Sequence, residues 1–351
     1  VRALVYDTFG GPVAVREVPD PVAPPGGVVV EVHATGLCRS DWHAWMGHEE
    51  FSLPHIGGHE LAGVVVEVGD DVARWVTGDR VTIPFVEGCG RCDWCDSGNA
   101  QVCPDQQQPG FTHAGSFAER VALHAADTNL IRVPDGLSFE AVAVLGCRFA
   151  TAYRALVARA HLREHEWLTV VGAGGVGLSA VMLATSLGAR TIAVDPSREA
   201  LALARELGAE HTLMPDGDTT AEIHHLTEGG AHVAMDALGS ESAAAAAIGS
   251  LRRRGRHLQV GLLPAVAGHP RIPMDRVIAW ELDVLGSHGM AAADYPDMLA
   301  LVESGTLAPQ RLIRRVVSLE DAAALLPAMA SSAAAGLTVI DPRMTSDQGT
   351  R

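Results

Sequence analysis

Cys38 and His59 offer a thiolate and an imidazole within one short stretch, a pair that suits Zn²⁺. The stretch runs GLCRSDWHAWMGHEEFSLPHIGGHE from Gly36 to Glu60 and adds Ser40, Asp41, His43 and Glu60. The stretch thereby gathers most of the reactive groups a metal enzyme needs.

A second reactive run follows. Cys89, Cys92, Cys95 and Cys103 are spaced C-x2-C-x2-C-x7-C. Two-residue gaps let a turn present successive sulfurs to one point, and four thiolates around Zn²⁺ leave no open position, so this site is expected to be structural. Iron–sulfur clusters also use short cysteine gaps; the zinc-lobe spacing and the catalytic-type pair nearby favour zinc. The sixth cysteine, Cys147, stands alone in LGCRFATAYRAL. A lone cysteine is ordinarily a small buried hydrophobe, but Cys38 and His59 lack a third ligand, which lends weight to the ligand reading.

The third chemical signal is Gly172-Ala173-Gly174-Gly175-Val176-Gly177, a GxGxxG turn. It follows an apolar run at Trp167–Val171, opens an apolar helix over Leu178–Leu187, and has Asp195 18 positions after its last glycine. In that setting the turn reads as a dinucleotide fingerprint. Gly172 and Gly174 allow the backbone to approach a pyrophosphate, the helix N-terminus favours its charge, and Gly177 lets helix and sheet pack closely. Asp195 would accept hydrogen bonds from the adenosine ribose and repel a 2′-phosphate, which favours NAD over NADP.

Two kinds of element must carry these groups. Up to about residue 134, short apolar runs alternate with turn clusters: Ala3–Val5, Val13–Val15, Val28–Val32, Leu61–Val68, Arg80–Ile83, Ser116–Val121 and Leu130–Val133. That is the pattern of an antiparallel β domain with Gly-rich loops. Around Phe139 Ala-rich helical segments begin, and from Glu166 the pattern is βαβ: strands at Thr191–Val194, Ala231–Asp236, Arg256–Val260 and Asp283–Ser287, with helices over Ser197–Leu207 and Ser242–Leu251. Helices over Tyr295–Glu303 and Leu319–Met329 and a strand at Leu337–Ile340 complete the chain. The expected fold class is α/β, with two domains in 351 residues.

Composition narrows the function classes. A net charge of −16 argues against nucleic-acid binding. The basic cluster Arg252–Arg254 with Arg256 reads as a solvated helix end before Gly255. No stretch reaches the roughly 18 apolar residues needed to span a bilayer, and the N-terminus lacks a signal-peptide design. The expectation is a cytoplasmic protein with no membrane partner, whose cysteines are thiols or metal ligands.

Together the C-R-S-D-x-H run at Cys38–His43, G-H-E at Gly58–Glu60, the four-cysteine lobe, G-C-x-F-x-T at Gly146–Thr151, the GxGxxG turn and Asp195 resemble the zinc-dependent alcohol dehydrogenases of the medium-chain dehydrogenase/reductase superfamily. The resemblance covers essentially the full length, in the family's order. It implies a GroES-like, mainly antiparallel catalytic domain at 1–148 and 288–351, and a doubly wound parallel-sheet (Rossmann) NAD domain at 149–287.

It also implies roles. Cys38, His59 and Cys147 correspond to the catalytic zinc ligands, and the four lobe cysteines to a structural zinc, giving two zinc ions per subunit. Glu60 corresponds to a residue that approaches the metal during ligand exchange, Asp41 to a carboxylate orienting the histidine ligand, and Ser40 with His43 to a proton relay. Arg39 and Thr151 fall beside the cofactor and Val176 behind the nicotinamide ring. Trp45 and Phe85 fall in the substrate pocket, and Leu262 borders pocket and nicotinamide.

Two positions depart from the family pattern. Leu337 stands where an arginine often follows the glycine of the last strand, and Ala200 where a basic residue often flanks the ribose, for which Arg198 could substitute.

The implied reaction is reversible oxidation of a primary or secondary alcohol to an aldehyde or ketone, by zinc-alkoxide formation and hydride transfer to nicotinamide C4. A polyol or amino-alcohol substrate on the same scaffold is the alternative, and a non-catalytic NAD-binding redox sensor the rival of another class. The compact chain and His43-Ala44-Trp45 are similar to the tetrameric members rather than the dimeric ones.

Overall fold

The computed structural model describes residues 1–215, 217–263, 269–330 and 335–345. The chain forms two compact units, Val1–Ala150 with Gly289–Ser332 and Leu337–Arg351, and Thr151–His288 with Ala333–Gly336.

The first unit is built on the long strand Val28–Leu37. Around it the strands run in the order Ile313–Val317, Leu337–Ile340, Val28–Leu37, Leu61–Val68, Arg80–Thr82, Ile131–Arg132, with Arg120–Leu123 also paired to Val28–Leu37. Every pairing is antiparallel except Ile313–Val317 with Leu337–Ile340.

Side chains alternate along a strand, so Val28, Val30 and Val32 share a face and pack with Leu61, Val65, Val81, Val121 and Leu123 in a sealed core. Each such side chain contributes roughly 1.5–3 kcal/mol on burial. A smaller sheet, Val13–Glu17, Arg2–Tyr6, His55–Ile56, lies on a second core containing Leu4, Tyr6, Leu37, Phe117, Leu319, Leu326 and Ile340.

One register matters for the site. Thr35 pairs with Leu61, and the Gly36 amide donates to the Glu60 carbonyl at 2.7 Å. The ends of two adjacent strands thereby set Cys38 beside His59 and Glu60.

The strand expected at Ser116–Val121 begins only at Arg120. The amides of Ser116 and Phe117 instead donate to the carbonyls of Gly58 and Gly57, at 2.9 Å each. That segment braces the loop before His59 rather than extending a sheet.

In the second unit six strands form a wholly parallel sheet in the order His211–Leu213, Arg190–Val194, Trp167–Val171, Ala231–Asp236, Leu251–Gln259, Asp283–Gly286. The central strand Trp167–Val171 is buried along its whole length, as a parallel strand with both faces covered must be. The mainly antiparallel unit and the parallel Rossmann-type sheet expected from the sequence are both formed.

The Arg252–Arg254 cluster corrects an expectation. It is not a helix end: the helix Glu241–Ser250 stops earlier, and these residues lie exposed in the strand Leu251–Gln259. Arg254 takes a positive φ of 61° and pairs with Glu281 at 2.8 Å.

The chain passes from the first unit to the second within Phe139–Arg159, 21 residues of helix. Among the described residues it is the one helix long and apolar enough to cross a membrane, contrary to the expectation of no such stretch. Its apolar window is 72% buried inside the protein, which accounts for that composition. Ser138 caps it by accepting from the Ala141 amide, and it is interrupted by two π-helical turns, Leu145–Phe149 and Ala155–Arg159. The first of them carries Cys147.

Candidate metal and cofactor sites

The structure gathers Cys38, His59, Glu60 and Cys147 so that one ligand atom from each lies within 4.8 Å of the others. Three local devices bring this about. The strand Val28–Leu37 ends at Cys38, which caps the helix Arg39–Trp45. The loop braced by Ser116 and Phe117 delivers His59 and Glu60. The π-helical turn presents Cys147; such turns, with their extra residue, recur at functional sites.

Asp41 holds two of these segments together. It is 2% exposed, its Oδ2 accepts from the Cys38 amide at 2.8 Å, and its Oδ1 accepts from the Gly58 amide at 3.1 Å. The same Oδ1 lies 2.9 Å from His59 Nδ1. That contact fixes the proton on Nδ1 and turns Nε2, as an acceptor, toward the sulfurs.

His59 Nε2 is fully buried and has no hydrogen-bond partner. An orphaned ring nitrogen beside two thiols is costly without an electrophile to bind, so the donor set fits a soft divalent cation such as Zn²⁺. The thiols behave accordingly. Cys147 hydrogen-bonds to Cys38, holding the Cys38 thiol well below its usual range and pushing Cys147 well above it, with burial adding to the rise at Cys147. Cys147 does not readily become a second thiolate beside Cys38 unless a cation offsets the charge.

Arg148, which the sequence reading passed over, is the strongest addition. It is 7% exposed and lies against Glu60. Its signal was an arginine directly after Cys147 inside an apolar helix.

The four-cysteine lobe converges as well. Cys92 Sγ stands 3.6 Å from Cys95 Sγ and 3.7 Å from Cys103 Sγ. Tetrahedral Zn–S bonds of about 2.3 Å require sulfur separations of about 3.8 Å. The Cys89 amide donates to Cys103 Sγ at 3.4 Å. A backbone N–H from Arg91 brings the Cys89 thiol down to about 7, whereas burial, with Cys92 and Cys103 close by, pushes Cys95 up to about 12. Four crowded sulfurs of this kind fit a closed zinc site.

The remaining groups of the first unit fall as follows. Ser40 is half-buried, with Oγ 3.7 Å from Cys38 Sγ. His43 is half-buried, and its Nδ1 lies 2.8 Å from Nδ1 of exposed His48, a partner not anticipated from sequence. Arg39 is exposed and donates to the Met329 carbonyl at 2.6 Å while lying over the Trp42 ring.

Phe85 and Phe111 flank His59, with ring centroids at 6.2 and 5.2 Å. Trp45 is packed inward. It is 7% exposed in the core cluster with Leu4 and Leu37, and its Nε1 donates to the Gly11 carbonyl. The alternation of the short helix turns it inward.

In the second unit the Gly-rich turn joins Trp167–Val171 to the helix Gly175–Ser186. Gly172 takes φ +99°, and a Cβ on Gly177 would stand 1.8 Å from the Gly172 carbonyl oxygen, so the turn closes only with glycine at both. Gly174 opens the helix with no side-chain cap, and a Cβ there would meet open space. Free amide donors under open space fit a pyrophosphate.

Gly175 and Val176 form the half-buried first turn, and Thr151 is buried at 6% exposure. Asp195 is partly engaged already: Oδ2 accepts from the Ala173 amide and Oδ1 from the Ser197 amide, both at 2.8 Å. Arg198 is exposed at the start of its helix. Leu262 is 57% exposed, as is Leu238 at 64%, a residue the sequence did not single out. Leu238 adjoins the turn, its amide 3.2 Å from where a Gly172 Cβ would stand.

Comparison with known proteins follows the same lines. Residues 24–135 match the alcohol dehydrogenase GroES-like domain, and residues 175–304 match the zinc-binding dehydrogenase family. An alcohol dehydrogenase of Geobacillus stearothermophilus is 38% identical over 267 residues, covering 75% of this chain and 78% of that protein. A crystal structure of an NAD-dependent alcohol dehydrogenase superposes with a TM-score of 0.88 at 31% identity, over 97% of this chain and 99% of that one. The alcohol dehydrogenase from Thermus sp. ATN1 gives a TM-score of 0.89 at 28% identity, over 97% and 99% of the two chains.

Proposed function

Because the chain belongs to the zinc-dependent alcohol dehydrogenases of the medium-chain dehydrogenase/reductase superfamily, we propose that it oxidises primary or secondary alcohols, reversibly, to aldehydes or ketones with NAD⁺. The observation that carries this reading is the orphaned Nε2 of His59, buried among the sulfurs of Cys38 and Cys147. A bound zinc ion would supply Lewis acidity there, and bound NAD⁺ would supply the hydride acceptor.

The chain's own residues do the rest. Cys38, His59 and Cys147 hold the metal and leave one position free for the substrate oxygen. Asp41 keeps His59 in the ligating tautomer through Nδ1. Ser40 takes the alcohol proton and His43, accepting in its neutral form, passes it to solvent. Phe85 and Phe111, beside His59, exclude water and favour apolar alcohols. The uncapped helix at Gly174–Gly177 binds the pyrophosphate, with Thr151 in the same unit. Asp195 retains acceptor capacity for the ribose hydroxyls and disfavours NADP. Val176, Leu238 and Leu262 give the nicotinamide an apolar bed, with Arg198 near the ribose.

The lobe cysteines hold the second zinc. A cytoplasmic homo-oligomer, tetrameric in preference to dimeric, completes the proposal; light scattering on the purified protein reads the subunit number.

The decisive experiment follows NADH at 340 nm with a panel of alcohols and aldehydes while counting zinc, expected at about two per chain from the two ligand sets. Turnover of at least one alcohol with full metal loading supports the reading. NADH binding without turnover of any panel member would favour a sensor and overturn it.

A further inference from the structure

The first metal cluster contains four potential ligands where a catalytic site needs three. Glu60 is wholly buried, and a carboxylate oxygen lies within 4.8 Å of the Cys38 and Cys147 sulfurs and the His59 ring nitrogen. A carboxylate is a competent zinc ligand. Left to itself, it would complete a closed tetrahedron and remove the open position.

Arg148 occupies that carboxylate. Oε1 accepts from both the Arg148 backbone N–H, at 3.0 Å, and Nε, at 2.9 Å, while Oε2 accepts from Nη2. Nη1 donates to the Leu37 carbonyl at 3.2 Å, which fixes the guanidinium against the strand that ends at Cys38. Space for the pair is reserved by Gly36, where a Cβ would fall 2.0 Å from Glu60 Oε2 and 2.8 Å from Arg148 Nη2. The arginine adjoins Cys147 in sequence, so the turn presenting the third ligand also supplies the restraint on the fourth.

We infer that Arg148 is a positioning residue that holds Glu60 off the metal and so keeps the catalytic position open. The inference rests on the reading of Cys38, His59 and Cys147 as metal ligands. Charge balance supports it: two thiolates and a divalent cation sum to zero, and Glu60 with Arg148 sums to zero beside them. A third anionic ligand would make the centre negative and disfavour the anionic form of the substrate.

The test uses the full chain loaded with Co²⁺ and titrated with imidazole, reading the visible d–d spectrum. Imidazole needs an open coordination position, so the closed four-cysteine site is silent. Replacing a restraint around a metal ligand typically changes affinity by about 10- to 100-fold. Arg148→Met is therefore expected to weaken imidazole binding by at least about tenfold, with the spectrum changed before imidazole is added. The double variant Arg148→Met with Glu60→Gln is expected to restore both, which a merely structural role for Arg148 would not.

Arg148→Lys keeps the charge but loses the fork; an intermediate affinity is expected, and it carries the test if Arg148→Met does not fold. Titrations of Arg148→Met, or of Arg148→Lys in its place, that match the wild type overturn the inference. A wild type that binds cobalt only at the four-cysteine lobe overturns the ligand assignment itself, and this inference with it.

Discussion

The two candidate metal clusters of this chain pose opposite problems. In the lobe, four like side chains come from one short run, Cys89 to Cys103, and three of them are partly exposed. Local turns and backbone N–H groups do the positioning. In the other cluster the ligands come from three separated segments and are unlike in kind. Cys38 and His59 are 4% and 0% exposed, and one further donor, Glu60, is tied back by an arginine. A local run of identical ligands closes around its ion and stabilises a loop. A site assembled from distant segments can leave a position open, but only if the fold controls every group within reach. Burial raises the cost of each uncontrolled charge.

The comparison breaks most visibly at Cys147. Cys147→Ser removes the proposed third ligand of the first cluster and leaves the lobe cysteines in place. Lewis-acid stabilisation is worth several kcal/mol, so turnover is expected to fall by roughly a thousandfold or more. Zinc content by mass spectrometry should fall from two per chain toward one. Wild-type turnover in the metal-analysed variant would remove Cys147 from the ligand set.

The mirror experiment, Cys95→Ala, should also cost one zinc, but with a different readout. Loss of a structural zinc costs several kcal/mol of folding free energy, and the thermal midpoint should fall by roughly 10 °C. Turnover per folded, loaded chain should remain near wild type. Loss of catalysis without loss of stability would reverse the roles of the two clusters.

Asp41→Asn gives a subtler contrast. It keeps the shape but weakens the acceptor for His59 Nδ1. Affinity at the first site is expected to drop by about 10- to 100-fold, while the lobe keeps its ion. Equal loss at both sites in a chelator competition would refute a specific orienting role.

These contrasts also explain what the sequence made legible. The lobe and the Gly-rich turn could be read because each is a local device: the spacing of Cys89–Cys103 and the glycines at 172 and 177 impose their own geometry. The parallel character of the Rossmann sheet followed from the βαβ pattern, whereas its edge strand His211–Leu213 was not read. Cys147 could be assigned only through the family resemblance, since nothing in a lone cysteine's neighbours fixes where an 88-residue separation from His59 will close.

Arg148, the space at Gly36 and the π-helical turn were not legible, because each depends on a tertiary approach between segments. The inward packing of Trp45 was not legible for a related reason. A short helix with apolar residues on two sides does not declare which side meets the core.

The smallest expected effect concerns the proton path, where the first cluster meets solvent and the lobe has no counterpart. Burial, the neighbouring His48 ring and Arg39 lower the His43 pKa below the usual 6.5, partly offset by Cys38. As a proton acceptor His43 works in its neutral form, so alcohol oxidation should decline as pH falls through that lowered value rather than at 6.5. His48→Gln removes one of the lowering influences and leaves burial and Arg39 in place. The acid limb of the kcat/KM profile should then move to higher pH, by less than about one unit given the weak coupling of exposed charges. The alkaline side should be unchanged. An unmoved acid limb would show that His48 does not act on the group that accepts the proton. A shift toward lower pH would show that His48 favours the protonated form of His43, with its ring nitrogen accepting across the 2.8 Å contact.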